Sequence, residues 1–395
     1  MKKFFYLTLF GIFFIPLSST IPIPGTDLWY SQYLGLFALF CLVISLKLWE
    51  FNKILAVFTL YCLFSSMFVS NQHPKAIISV IQIYFGCLAM YGISTFDADR
   101  RKLLCRAIIL LVLLQGGMIL LQKFNLDSIF NNIANPMIDD TVAFCGSKNQ
   151  AGLFFATATP LVLHIFPYFL PLILAGLWFA KTTTAMVAAF IGVGCYLFTF
   201  QRKIFGIFVL FLLFVAPFIY PKFDTLPKVE FTDRLNVVKY SIMQVNKGEA
   251  LMRNENMIKR VRCNPLFGFG LGNFTRISPY TQVDYLTRTH ADTHRYFHAH
   301  NDYVETYFDL GQVGFGLLVL LLGHFFWGFI KIKKTKTLIM LFLCIFVYML
   351  CAGGIFTIQI PVSAYLFILI YGLYMGEYRD IQEAVKRGVS YGESK

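Results

Sequence analysis

Charged residues are scarce in this chain, at 14% of 395 residues against 57% hydrophobic and 17% aromatic side chains. A soluble domain of that size does not present so few ionised groups to water, so the composition points to an integral membrane protein. Acidic residues are the scarcer sign, 21 against 34 Lys and Arg, which leaves a formal charge of +13. In a soluble chain that balance would suggest nucleic acid; in a membrane protein it reports cytoplasmic loops, and no nucleic-acid partner is expected. Cysteine is nearly missing from polar sequence. Cys41, Cys62, Cys87, Cys105, Cys195, Cys344 and Cys351 lie in apolar runs, where they act as small hydrophobes. Only Cys145 and Cys263 lie in longer polar segments, and whether they pair stays open. Zinc spacing, internal repeats and low-complexity segments are absent, and no metal or other cofactor is expected.

What is present is a series of apolar runs. About twelve candidate spans, each of roughly 12–20 residues, fall near 4–20, 28–46, 54–70, 76–94, 104–121, 151–166, 169–180, 184–200, 204–220, 312–330, 337–353 and 358–376. The expected fold class is therefore an all-α polytopic membrane protein with about twelve transmembrane helices. Lys2 and Lys3 before an apolar core resemble a signal peptide, but Ser-Ser-Thr-Ile-Pro-Ile-Pro is a poor cleavage site, so a retained helix is expected. Pro160, Pro167 and Pro171 interrupt 151–180, which reads either as two short helices or as one broken one.

Charge sets the orientation. With the N-terminus inside, Lys2, Lys3, Lys47, Lys53, Arg100, Arg101, Lys102, Arg202, Lys203, Lys331, Lys333, Lys334 and Lys336 all fall on cytoplasmic turns, and Arg379, Lys386, Arg387 and Lys395 on a cytoplasmic tail. The short external loops carry only Lys75, Lys123, Lys148 and Lys181. That asymmetry is the positive-inside pattern, with both termini cytoplasmic. Two external segments are too long to be simple connections: 122–150, and 221–311, which contains its own helical patterning. The expected organisation is 1–220 with nine spans and the 122–150 loop, a catalytic loop over 221–311, and 312–395 with three spans and the tail. The large loop is rich in arginine, including Arg234, Arg253, Arg260 and Arg262. Guanidinium groups bind phosphate oxygens bidentately and keep their charge, so an anionic ligand is one reason to hold them outside.

The chemistry concentrates where that loop meets the next span. His300 can accept a proton near neutrality, because an unperturbed imidazole titrates at about 6.5. Asn301, Glu305 and Asp309 recur at helical spacing and would share one polar stripe, with Tyr303, Val304, Tyr307 and Phe308 opposite. Gly311 and Gly314 would let this helix turn closely into the span. A histidine that only caps or bonds locally at the interface fits the spacing equally well. His290, His294, His298 and His300 with Asp292 invite a metal, but His298 and His300 diverge on a helix and no Cys or Glu completes a spacing. Asn264-Pro-Leu-Phe-Gly268-Phe-Gly270-Leu-Gly272 lacks the βαβ context of a nucleotide loop and reads as a tight turn that seats the segment. Lys181-Thr182-Thr183-Thr184 in a short external turn either faces a phosphate or anchors and caps the following helix.

Together these residues resemble the bacterial O-antigen ligase and polymerase superfamily. Its ligase signature is His, then Asn, Ser or Gln, nine residues, Gly, two residues, then Gly, Thr or Tyr; His300-Asn301, Gly311 and Gly314 fit it without a gap. Asn264 to Phe274 is similar to the family's proline-glycine segment, and Gly146-Ser-Lys-Asn149-Gln-Ala-Gly to its asparagine-containing helix entry. The resemblance implies a GT-C-like fold with one large periplasmic loop in the bacterial inner membrane, and an inverting, metal-independent glycosyltransferase. Its donor would be a glycan on undecaprenyl pyrophosphate, and its acceptor a sugar hydroxyl of lipid A core or of another glycan. His300 would be the general base and Arg234 the catalytic cation. Lys181, Arg253, Arg260, Asn149, His298 and Asn301 would bind substrate. The chain departs from the family pattern in having Lys181, rather than an arginine, beside the hydroxyl residues at the eighth span, and in the long separation of Arg234 from the proline-glycine segment. A repeat-unit polymerase uses the same donor chemistry. A transporter of lipid-linked glycans would need an ionisable pair in mid-span, and none is seen.

Overall fold

A computed structural model describes residues 44–45, 48–49, 51–70, 73–124, 143, 145, 148–209, 264–274, 301–354 and 361–388. Among the described residues there is no strand. The helices are α1 (Lys53–Phe64, continued by a π-turn Ser65–Val69), α2 (His73–Ser94), α3 (Ala98–Lys123), α4 (Lys148–Ile165), α5 (Leu170–Ala180), α6 (Thr183–Phe200), α7 (Asp302–Lys331), α8 (Lys336–Ala352) and α9 (Pro361–Lys386). They fall on the expected third to eighth and tenth to twelfth spans, and residues 202–209 form a helical start to the ninth. Ala76–Ser94, Ala98–Lys123, Thr183–Phe200 and Asp302–Lys331 are long and apolar enough to cross a membrane, while Lys53–Val69, Pro167–Ala180 and Lys336–Ala352 are shorter apolar helices. The first span, most of the second, and most of the 221–311 loop lie outside the described residues.

Helix α4 is the axis of the bundle. Every residue from Gln150 to Val162 is buried, as expected of a helix that is apolar all round. It packs against α5, α6 and α8, and α9 lies against α2 and α8. Small residues set the spacing, which is how helices associate where lipid gives no hydrophobic drive between them. A Cβ on Gly152 would stand 2.8 Å from the Thr182 side chain, and one on Gly176 would stand 2.9 Å from the Phe155 ring. The proline-rich stretch resolves as two helices. Pro160 sits inside α4, and the break comes later, where Phe166 leaves helical geometry ahead of a 3-10 turn at Pro167–Phe169. On the outer surface, Leu103, Leu110, Leu114 and Leu121 of α3 and Val319, Leu320, Trp327 and Ile330 of α7 stand exposed. Such uncovered apolar faces suit lipid, and the molecule is an integral membrane protein.

The two ends of the bundle differ in charge. At one end the N-terminus of α3 meets α9 and the α7–α8 turn. Buried Arg101 pairs with Asp380 and, at 3.6 Å, with Glu377, and it donates to the Phe96 carbonyl at 2.6 Å. Glu377 in turn accepts from the Thr335 hydroxyl at 3.0 Å. Ile339 and Phe342 of α8 pack on the same cluster, Val193, Tyr196, Leu197 and Leu343, as Phe200 and Phe205, which brings Arg202 and Lys203 to the same end. Lys331 lies 4.4 Å over the Trp327 ring and Lys334 5.5 Å over Phe329, cations resting on an aromatic belt. The described basic turns thus converge on one end.

Candidate functional site

At the opposite end, Asn301 caps α7. Its backbone is extended, and its Oδ1 accepts from the Tyr303 and Val304 amides at 3.0 and 3.1 Å, an N-cap that satisfies two donors of the first turn. Its Nδ2 donates to the Gly353 carbonyl at 2.9 Å, and the Tyr303 hydroxyl donates to the Met349 carbonyl at 2.8 Å. The last turn of α8 has carbonyls with no intrahelical donor, so the start of one helix completes the end of the other. One residue further, a Cβ on Gly354 would stand 2.8 Å from the Thr184 hydroxyl. The Thr182 hydroxyl donates to the Lys148 carbonyl at 3.0 Å and to the Ala180 carbonyl at 3.1 Å. The N-termini of α4, α6 and α7 are therefore linked in series through Thr182, Thr184 and the Gly353-Gly354 pair.

Below this rim the glycine-rich turn and α7 lock together. Gly311 has φ 64° and ψ −164° and kinks α7, where a continuous ladder would otherwise run. The kink leaves carbonyls and amides to be satisfied, and others take them. Phe269 and Gly270 donate to the Phe308 and Asp309 carbonyls at 3.1 and 2.8 Å, and the Tyr61 hydroxyl donates to the Leu310 carbonyl at 2.8 Å. The Gln312 and Val313 amides donate to the Pro265 and Leu266 carbonyls at 2.8 and 3.2 Å. The turn's own amides are equally engaged: Gly268 with Asn264, Leu271 with the Ser65 hydroxyl, Gly272 with the Asp309 carboxylate at 2.8 Å, and Asn273 with Gly270. No amide from Gly268 to Asn273 is left to cradle a phosphate, so the seating turn is what this glycine run forms. Gly268, Gly270 and Gly272 all have left-handed φ, 68°, 90° and 76°, which only glycine adopts without strain. Phe308 is buried between Phe269 and Phe274, ring centres 4.7 and 5.4 Å away.

The residues named from the sequence fall into two groups. Asn149, Lys181 and Asn301 are described and lie at this end. Asn149 is half-buried in the first turn of α4, and Lys181 is exposed with a left-handed φ of 51° at the end of α5. Thr182 holds the N-cap position of α6, yet its hydroxyl goes to Lys148 and Ala180, so it anchors the turn without capping the helix. The polar stripe needs correcting at its head: Asn301 precedes the helix as its cap, and Glu305 and Asp309 are buried within the bundle. His300, His298, Arg234, Arg253 and Arg260 lie outside the described residues, as do His290, Asp292 and His294. Among the described residues no cluster of three metal-ligating side chains occurs. Cys145 is a buried free thiol pushed up to about 12 by burial, and Cys263 lies outside the described residues. Sequence reasoning missed Gly353 and Gly354 as the partners of Asn301 and Thr184. Their place at the end of an apolar run, where glycine terminates helices, was the available signal.

Residues 168–319 match the family model described as O-antigen ligase. That match supports a relation of this segment to the O-antigen ligase superfamily. No curated protein matches the chain. The matched segment runs from the turn before α5 to the middle of α7. It therefore contains the Lys181 turn, the large loop, the glycine turn, Asn301 and the Gly311 kink, whereas α4 and α8, which join those parts, lie outside it.

Proposed function

We propose that this protein is an O-antigen ligase-type membrane glycosyltransferase that moves a glycan from undecaprenyl pyrophosphate to a sugar hydroxyl of lipid A core. The observation that carries the reading is the Asn301 clamp. It fixes the start of α7, next to His300, beside the α8 end that also meets the Lys181–Thr184 turn, at the end of the bundle away from the basic turns. On this reading the basic end is cytoplasmic and the site periplasmic, in a bacterial inner membrane. The helix N-termini of α4 and α6 and the exposed Lys181 suit an anionic pyrophosphate there.

In the reaction the acceptor hydroxyl gives its proton to the neutral imidazole of His300. The oxygen attacks the anomeric carbon, the bond to the pyrophosphate oxygen breaks, and the configuration inverts. The electron pair leaves with undecaprenyl pyrophosphate, whose charge Arg234 stabilises, with Arg253, Arg260 and Lys181 as further cations. Side-chain charge fills the role without a metal, and such stabilisation is commonly the largest catalytic contribution. Arg234→Ala should lower transfer about 100-fold or more, as loss of one charge-stabilising donor does elsewhere, while Arg276→Ala keeps it. Initial rates with a lipid-linked donor decide the point, and the reverse pattern would move the phosphate site along the loop.

A further inference from the structure

We infer that Asn301 is a positioning residue for His300, acting through Gly353, and not a substrate ligand. This rests on the reading of His300 as the base. The Asn301 Oδ1 accepts from the Tyr303 and Val304 amides, and one N–H of its Nδ2 goes to the Gly353 carbonyl at 2.9 Å. Capping needs only the acceptor, and Asp or Ser would supply it as well. The donor has a different use, because it ties the first residue outside α7 to the end of α8. Tyr303, two residues on, makes a second tie to Met349 at 2.8 Å. Gly354, next to the tied carbonyl, has no room for a Cβ against Thr184. Asn301, the residue that follows the base in sequence, and Thr184, at the end of the Lys181 turn, thus both meet one short piece of backbone, Gly353-Gly354. A displacement of about 1 Å between reacting groups costs on the order of 100-fold in rate, so a tie of this kind acts on turnover more than on binding.

The decisive substitution is Asn301→Asp, which keeps the cap and removes the donor. The thermal unfolding midpoint in detergent should drop only slightly, because a carboxylate oxygen now faces the Gly353 carbonyl, while kcat falls about 10- to 100-fold and KM for donor and acceptor changes less than about twofold. Tyr303→Phe, which has no part in the cap, should show the same split with a smaller loss. In a His300→Ala background, Asn301→Asp should cost nothing further, because a group that acts by placing the base has no effect once the base is gone. A raised KM with unchanged kcat, or losses that multiply in the double variant, would overturn the positioning role while leaving His300 as base. Full activity of His300→Ala alone would overturn the underlying reading, and this inference with it.

Discussion

His300→Ala should lower glycan transfer roughly 10²–10⁴-fold and leave the protein folded in the membrane. A placed general base contributes roughly 10²–10⁴-fold, and an acceptor hydroxyl offers no better route for its proton at neutral pH. The comparison to make is initial transfer rate against yield and thermal unfolding in detergent. His300 precedes the Asn301 cap in sequence, and the cap itself, Asn301 Oδ1 with the Tyr303 and Val304 amides, is untouched by the substitution. Unfolding should therefore be unchanged while the rate collapses. A variant that transfers glycan at the parental rate would remove the base from the mechanism.

The largest effect on stability is expected at the kink. Gly311→Ala places a Cβ at a left-handed φ of 64° and 2.5 Å from the Leu266 carbonyl oxygen, with the Gly268 amide nitrogen closer still. The facing Gly268 is equally confined, 2.5 Å from the Gly311 nitrogen and 2.6 Å from the Phe308 and Asp309 carbonyl oxygens. Neither obstacle is a flexible side chain, so strain and overpacking add. The cost should be about 2–4 kcal/mol, read as a lowered thermal midpoint, with transfer falling as the glycine turn separates from α7. Gly316→Ala and Gly323→Ala on the same helix are the controls. A Cβ at either meets nothing within 4 Å, and both should be neutral or slightly stabilising.

How much of this was readable beforehand differs from element to element. The helices α1 to α9 follow from apolar runs because a span must satisfy its own backbone and so declares itself by length. The glycine run declared a turn, since three glycines so close together favour left-handed φ. Its partner was hidden: Gly311 is a neighbour only in space, and close backbone approach leaves no composition signal. Pro160 suggested a break that did not come, whereas Pro167 marked a real one; the neighbouring helices decided between them. Asn301 looked like a member of a helical stripe because spacing cannot tell the first helical residue from its cap. His300 could be chosen by chemistry alone, but its phosphate partner could not. Arg234, Arg253 and Arg260 are equivalent by charge, and sequence separation says nothing of which one meets the pyrophosphate.

The most direct test of the central claim is a reconstituted assay with a radiolabelled glycan on undecaprenyl pyrophosphate, offered lipid A core and, separately, a second donor molecule as acceptor. Ligase-type transfer predicts label on lipid A core and release of undecaprenyl pyrophosphate, both sharply reduced in His300→Ala. A ladder of lengthened donors would assign the same site to polymerisation, and donor that crosses the bilayer with its glycan bond intact would contradict the glycosyltransferase account.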